Sequence, residues 1–164
     1  MLILANGMTY FRDLTVYEYF KDPQQWPLEN NVGWLGPGHS FPTATPTESL
    51  LDLVWKFCKV KVNLTRGIHP CHLCKSRIPP FESQMFERNG DKLLLGSAEI
   101  RSFSSRGAIF AAPNLIYHYI SAHHYRPPEE FVDSLTAGPC PPDPEYFARL
   151  KKLGHEWALP KPSA

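Results

Sequence analysis

Asn114-Leu115-Ile116-Tyr117-His118-Tyr119-Ile120-Ser121-Ala122-His123-His124 reads as a helix with imidazoles near its end, and Cys71-His72-Leu73-Cys74 reads as a tight turn carrying two thiols. A Cys-x2-Cys pair with a His-x4-His pair is the ligand pattern of structural zinc, in which thiolates and imidazoles close a tetrahedron. The expected metal ligands are therefore Cys71, Cys74, His118 and His123, and the expected cofactor is Zn2+. A spacing of five residues turns about 140° on an ideal helix. His118 and His123 can face one ion only if the last turn loosens.

The 43 residues between Cys74 and His118 are more than a short zinc finger holds, and they carry strand signals. Gln84 to Arg88 and Lys92 to Leu95 flank Asn89-Gly90-Asp91, and Asn-Gly between apolar runs is a strong hairpin signal. Ala98 to Phe103 alternates apolar and polar residues as a third strand, and Ala108 to Ala111 follows Ser104-Ser105-Arg106-Gly107 as a fourth. Pro113 is placed to open the histidine-bearing helix, with Leu115, Ile116, Tyr119 and Ile120 on its apolar face. The metal would then staple a small sheet to a helix.

Upstream, Thr45-Pro46-Thr47-Glu48 predicts a helix over about 46–60, with Thr45 as cap, Pro46 first and Glu48 third. Leu50, Leu51, Val54, Trp55 and Cys58 give it one apolar face. Downstream, Glu129 and Glu130 suit the first turn of a helix over about 128–135. Asp143-Pro144-Glu145 starts a last helix that ends at Gly154. Met8 to Phe20 is rich in aromatic and β-branched residues and reads as a short strand or extended arm. Lys21 to Pro46 holds too many Pro and Gly residues for a long regular element.

The fold class expected is α+β: a small antiparallel sheet, made of a β-hairpin plus short strands, with about four helices and a zinc knuckle. A chain of 164 residues is one domain by length. It divides into an aromatic, Pro/Gly-rich segment over about 1–45, a zinc-stapled body over about 46–137 and a C-terminal helix over about 143–154. The 43% apolar and 13% aromatic content supplies a core and argues against disorder. Seventeen prolines, about twice average usage, predict short elements and long ordered loops. No stretch approaches the ~18 apolar residues of a membrane span, and the first residues lack a secretory pattern, so a soluble cytoplasmic protein without membrane contact is expected. Four cysteines do not make a disulfide scaffold in a chain of this length. Cys58 and Cys140 are expected as free thiols.

Net charge is +1, which says nothing of partners. Its distribution is uneven: residues 53–81 carry Lys56, Lys59, Lys61, Arg66, Lys75 and Arg77 with no acid. Such a stretch beside a knuckle suits phosphate contacts, although the solvated face of one helix is the better explanation. A zinc-dependent hydrolase or nuclease would need an open coordination position and a general base. Glu99, Glu129 and Glu130 are the acids available, and none stands in a catalytic zinc motif. His69, His72 and His124 are the spare imidazoles, and His124 rivals His123 directly. A redox role for Cys71 and Cys74 is disfavoured because a hairpin, rather than a helix start, follows them.

Five blocks resemble a family of small, mostly bacterial proteins of unknown function with a zinc-knuckle-like pattern. They are Met8 to Leu14, Asn31-Val32-Gly33-Trp34-Leu35-Gly36, Gly67 to Cys74, Leu95 to Arg101, and Ala112 to Ile120 continuing through His123, Tyr125, Pro127, Pro128 and Phe131. The pattern is similar to H-x-C-x-x-C followed by A-P-x-L-I-x-H-Y-x-x-x-H-x-Y-x-P-P-x-x-F. The resemblance implies Cys71, Cys74, His118 and His123 as matched positions, matches His69 as well without assigning it a role, and brings no reaction. The functional expectation is a non-enzymatic zinc-binding domain acting through contacts with a protein partner, toxin neutralisation being one such role. A nucleic-acid-binding module and a zinc-dependent hydrolase or nuclease are the alternatives.

Overall fold

The computed structural model describes residues 9–74 and 85–161. Elements run in the order β1 (Asn30–Asn31), α1 (Glu48–Cys58), β2 (Met85–Arg88), β3 (Asp91–Leu94), β4 (Glu99–Phe103), β5 (Ile109–Pro113), α2 (Ile116–His123), α3 (Glu129–Ala137) and α4 (Pro144–Lys152), then a 3-10 turn at Glu156–Ala158. The class is α+β. No helix among the described residues is long and apolar enough to cross a membrane.

The sheet is mixed where an antiparallel one was expected. β5 lies in its centre, antiparallel to β4 and parallel to the two-residue β1. The hairpin β2–β3 forms a separate two-stranded sheet. Its loop is Asn89-Gly90 with Arg88 opposite Asp91, and both loop residues have positive φ, 50° and 83°. That is the tight turn whose twist matches antiparallel strands, and Asn and Gly tolerate it best. Arg88 fastens the hairpin to α1 through Asp52 and Glu48, each at 2.7 Å.

Helix α1 starts two residues later than expected. Thr47, not Thr45, is the cap, and its hydroxyl accepts from the Leu50 N–H at 3.1 Å. Thr43 bridges Tyr125, and the Ala44 N–H donates to His124 O at 2.9 Å. The chain before Pro46 is therefore held extended by a distant strand-like pairing. Leu51, Val54, Trp55, Phe57 and Cys58 are buried, in one cluster with Ile100, Phe103, Ile116, Ile120, Phe131 and Tyr146. Pro113 also departs from its expected place: it ends β5 opposite Glu99. The Asn114 N–H continues the pairing to Ala98 O at 2.9 Å, which delays α2 to Ile116.

Strand β4 differs most from its sequence pattern. Glu-Ile-Arg-Ser-Phe alternates as if one face were wet, yet all five residues are buried. The N-terminal segment supplies the missing cover. Residues 9–20 hold no strand, only bridges such as Val16 to Asn30, but Phe11, Tyr17 and Tyr19 pack on Trp34, whose indole N–H donates to Ala111 O at 3.0 Å. Tyr17 reaches Glu99 and lies under the Arg101 guanidinium, 4.6 Å from the ring centre. Gly33, at φ +75°, lets this segment approach α2: a Cβ there would lie 2.7 Å from Ile116 Cδ1.

Candidate metal centre

Folding brings Cys71, Cys74, His118 and His123 into one group, with their ligand atoms all within 4.8 Å of one another. Cys71 Sγ lies 3.3 Å from His123 Nε2, and Cys74 Sγ lies 3.1 Å from His118 Nε2 and 3.4 Å from His123 Nε2. The two imidazoles stand nearly perpendicular, 86° apart in plane, with centres 5.0 Å apart. A single thiol–imidazole hydrogen bond would explain one such approach. Three approaches shared among four side chains describe a cage that can hold a metal ion.

Each half of the cage has a local cause. The backbone N–H groups of Leu73 and Cys74 hydrogen-bond to Cys71 Sγ, which curls the four-residue turn and directs both sulfurs to one side. On the helix, the last turn ends in a left-handed cap. His124 adopts φ 55° and its N–H donates to Tyr119 O, as does the Tyr125 N–H at 3.0 Å. These bonds span five and six residues instead of four and close the helix after His123, so that the chain changes direction at His124. The Phe86 ring of β2 packs 5.1 Å from His118 and limits where that imidazole can turn.

Burial sets the protonation of the cage. His118 is pushed down to about 4 by burial and then by the nearby His123, and burial also lowers His123. Both rings are thus neutral near pH 7, the form that ligates. Burial pushes the Cys71 thiol up to about 11, opposed by the two backbone N–H groups. A bound cation would reverse that, because a metal-held sulfur is a thiolate.

The halves are joined by a residue that sequence reasoning passed over. Asn114 Oδ1 accepts from the Gly96 N–H at 2.8 Å, and Gly96 O accepts from the His69 N–H at 2.8 Å, two residues before Cys71. Asn114 itself is 0% exposed and stands two residues before α2. Tyr119 was read only as core. Burial raises its hydroxyl, and so do Cys71 and Cys74 beside it.

The spare imidazoles fall outside the cage. His69, His72 and His124 are exposed and none belongs to the ligand group. The acids do too. Glu129 and Glu130 sit exposed on the first turn of α3. Glu99 is buried and occupied: it accepts from Tyr17 Oη at 2.8 Å and Asn63 Nδ2 at 2.9 Å, and pairs with Arg101 at 2.8 Å. Of the basic stretch, Lys59 pairs with Asp91 at 2.5 Å. Lys56 and Arg66 are exposed and Lys61 is half-buried. Lys75 and Arg77 lie outside the described residues. Cys58 is buried and Cys140 half-buried, both free.

Among known protein families, the one described as Domain of unknown function (DUF7919) matches residues 9–136, a span that contains all four residues of the cage. No curated protein and no solved structure matches the chain.

Proposed function

The chain belongs to the DUF7919 family, whose description carries no activity, and we propose that it is a non-enzymatic domain built on a closed structural zinc site, acting through contacts with a protein partner. The observation that carries the zinc half is the spacing inside the cage. Zn–S bonds of about 2.3 Å and Zn–N bonds of about 2.0 Å at tetrahedral angles require sulfur and nitrogen about 3.5 Å apart. The three sulfur–nitrogen separations, 3.1 to 3.4 Å, fit that requirement. Two thiolates and two imidazoles fill four positions and, being strong donors, quench the Lewis acidity that hydrolysis needs. No carboxylate joins the group among the described residues.

Elemental analysis with absorption spectroscopy at the zinc edge tests this. One zinc per chain with two sulfur and two nitrogen neighbours is the expected result. A water or carboxylate oxygen in the inner shell would transfer the reading to the hydrolase alternative. A metal-free chain that unfolds as the loaded one does would remove the zinc altogether.

Support for a protein partner comes from one face. Leu64 and Trp157 are 60% and 97% exposed, and they line one groove with Phe147 and the ammonium-bearing Lys56 and Lys61. Apolar side chains with interspersed cations suit a partner that offers apolar residues and carboxylates. Crosslinking in cells should capture a discrete partner with the wild-type chain and lose it with Trp157→Ala. Salt-sensitive binding to a generic oligonucleotide that disappears with Lys56→Ala and Lys61→Ala would favour the nucleic-acid module instead.

A further inference from the structure

Around β4 lies a polar network centred on Arg101, outside the group of Cys71, Cys74, His118 and His123. Arg101 is 0% exposed. Its Nε pairs with Glu29 at 2.5 Å, and its Nη1 pairs with Glu99 at 2.8 Å and donates to Ile100 O at 3.1 Å. Its Nη2 is buried and has no hydrogen-bond partner. A buried guanidinium N–H without a partner is unfavourable, so an acceptor that satisfies it is favoured there.

A cavity borders the same side chain. Arg101 forms part of the wall of a cavity of about 180 Å³, together with Tyr17, Lys21, Glu29, Lys152 and His155. Lys21, Arg101 and Lys152 are cationic, against Glu29 and Glu99, which leaves one positive charge in excess. Lys152 has no ion-pair partner among the described residues. His155 adds no charge near neutrality: burial, and then Arg101, push it down to about 4, and a neutral ring still offers one N–H. The unmet hydrogen bond and the unmet charge both call for an anionic acceptor.

The cavity also has an apolar extension. Phe20, which is 53% exposed, and Asn63 line both this cavity and a narrower one of about 70 Å³. The narrower one is walled by Tyr19, Trp34, Leu115 and Tyr119, beside the knuckle residues His69 and His72. We propose that the paired cavities bind a small amphipathic anion, its carboxylate or phosphate held by Arg101 Nη2 and Lys152 and its apolar body lying past Phe20 toward Trp34. The carboxylate of Glu29 does not oppose this, since Arg101 and Lys21 already neutralise it at 2.5 and 2.7 Å.

The test is nuclear magnetic resonance titration of the full chain with phenylacetate and phenyl phosphate, and with acetate and inorganic phosphate as anions without a body. Saturable shifts are expected at the Arg101 side chain, the His155 ring and the Trp34 indole N–H, with the phenyl-bearing member of the pair tighter than its bare anion. Comparing the two phenyl probes tells carboxylate from phosphate. Lys152→Ala, an exposed change, should weaken binding about two- to fivefold, the worth of one partly screened charge, while Lys151→Ala should not. Silence of Arg101 toward all four probes at about 10 mM, a limit far weaker than functional affinities, would mean that the cavity holds water only and would overturn the proposal. Shifts at Trp34 without Arg101, or an affinity indifferent to Lys152→Ala, would overturn it as well.

Discussion

The Asn114 side chain accepts the Gly96 backbone N–H at 2.8 Å, and through it the strand that enters α2 is tied to the loop that backs the Cys71–Cys74 turn. One amide thereby links the segment before Cys71 to the segment before α2. Its own Nδ2 has no partner, so the residue is held for its oxygen.

Asn114→Ala should therefore destabilise the fold by about 2 kcal/mol, the cost of leaving a buried N–H unmet, and should weaken zinc retention against a chelator. Chemical denaturation with zinc release followed in parallel checks this. Loss of stability with unchanged zinc retention would show that Asn114 does not position the cage.

Removal of one thiol separates a structural metal from a decorative one. Cys71→Ser should abolish stoichiometric zinc and lower the thermal midpoint by many degrees, because binding energy of a structural zinc is folding energy. Cys140→Ser, at a free thiol outside the cage, should retain one zinc per chain. Equal midpoints for Cys71→Ser and wild type would refute the structural role.

His124 follows α2 in the left-handed conformation, φ 55°, where a side chain is strained and glycine is not. His124→Gly should keep the zinc and raise stability by about 0.5–1 kcal/mol. His123→Gly should lose the metal. The pair of variants, compared by zinc content and denaturation midpoint, decides which adjacent imidazole ligates.

Acid should weaken the fold through the Arg101 network. His155 stands at about 4 in the folded chain against an ordinary value near 6.5, so the unfolded chain takes up its proton first on acidification. Its contribution is complete above about 6.5 and is lost as pH falls toward 4. Burial alone would raise the Glu29 carboxyl, but Arg101 and Lys21 hold it below the usual carboxylate range, so its contribution is lost in the same direction at lower pH. Urea titrations at pH 7, 5.5 and 4.5 should show falling stability, with a flatter slope for His155→Asn. Stability that rises on acidification would contradict both assignments.

Much of the fold is local chemistry written plainly. Asn89-Gly90 demands its turn because both residues accept positive φ, and the apolar spacing of Leu51, Val54, Trp55 and Cys58 makes α1 amphipathic wherever it packs. Pro144 stands at the start of α4, where its fixed φ suits the first turn. Boundaries moved where a distant partner intervened: Thr43 with Tyr125 delayed α1, and Ala98 with Asn114 delayed α2.

The residues of the cage belong to the same local chemistry. Two thiols three positions apart and two imidazoles on one helix can be named from residue type and spacing, since a tight turn and a helix end leave few directions for their side chains. Which of His123 and His124 faces the cage is seen only in the structure, where His124 takes the left-handed cap of α2 and its carbonyl accepts from the Ala44 N–H. The Glu29–Arg101–Glu99 network was invisible for a deeper reason. Alternation in β4 reports only that its two faces differ, and a charged face is read as wet unless something covers it. The cover, Tyr17 and the aromatic segment around it, arrives from more than eighty residues away. Burial of a charge is a property of what lies over it, so only tertiary structure could turn Arg101 from a surface residue into the centre of a cavity.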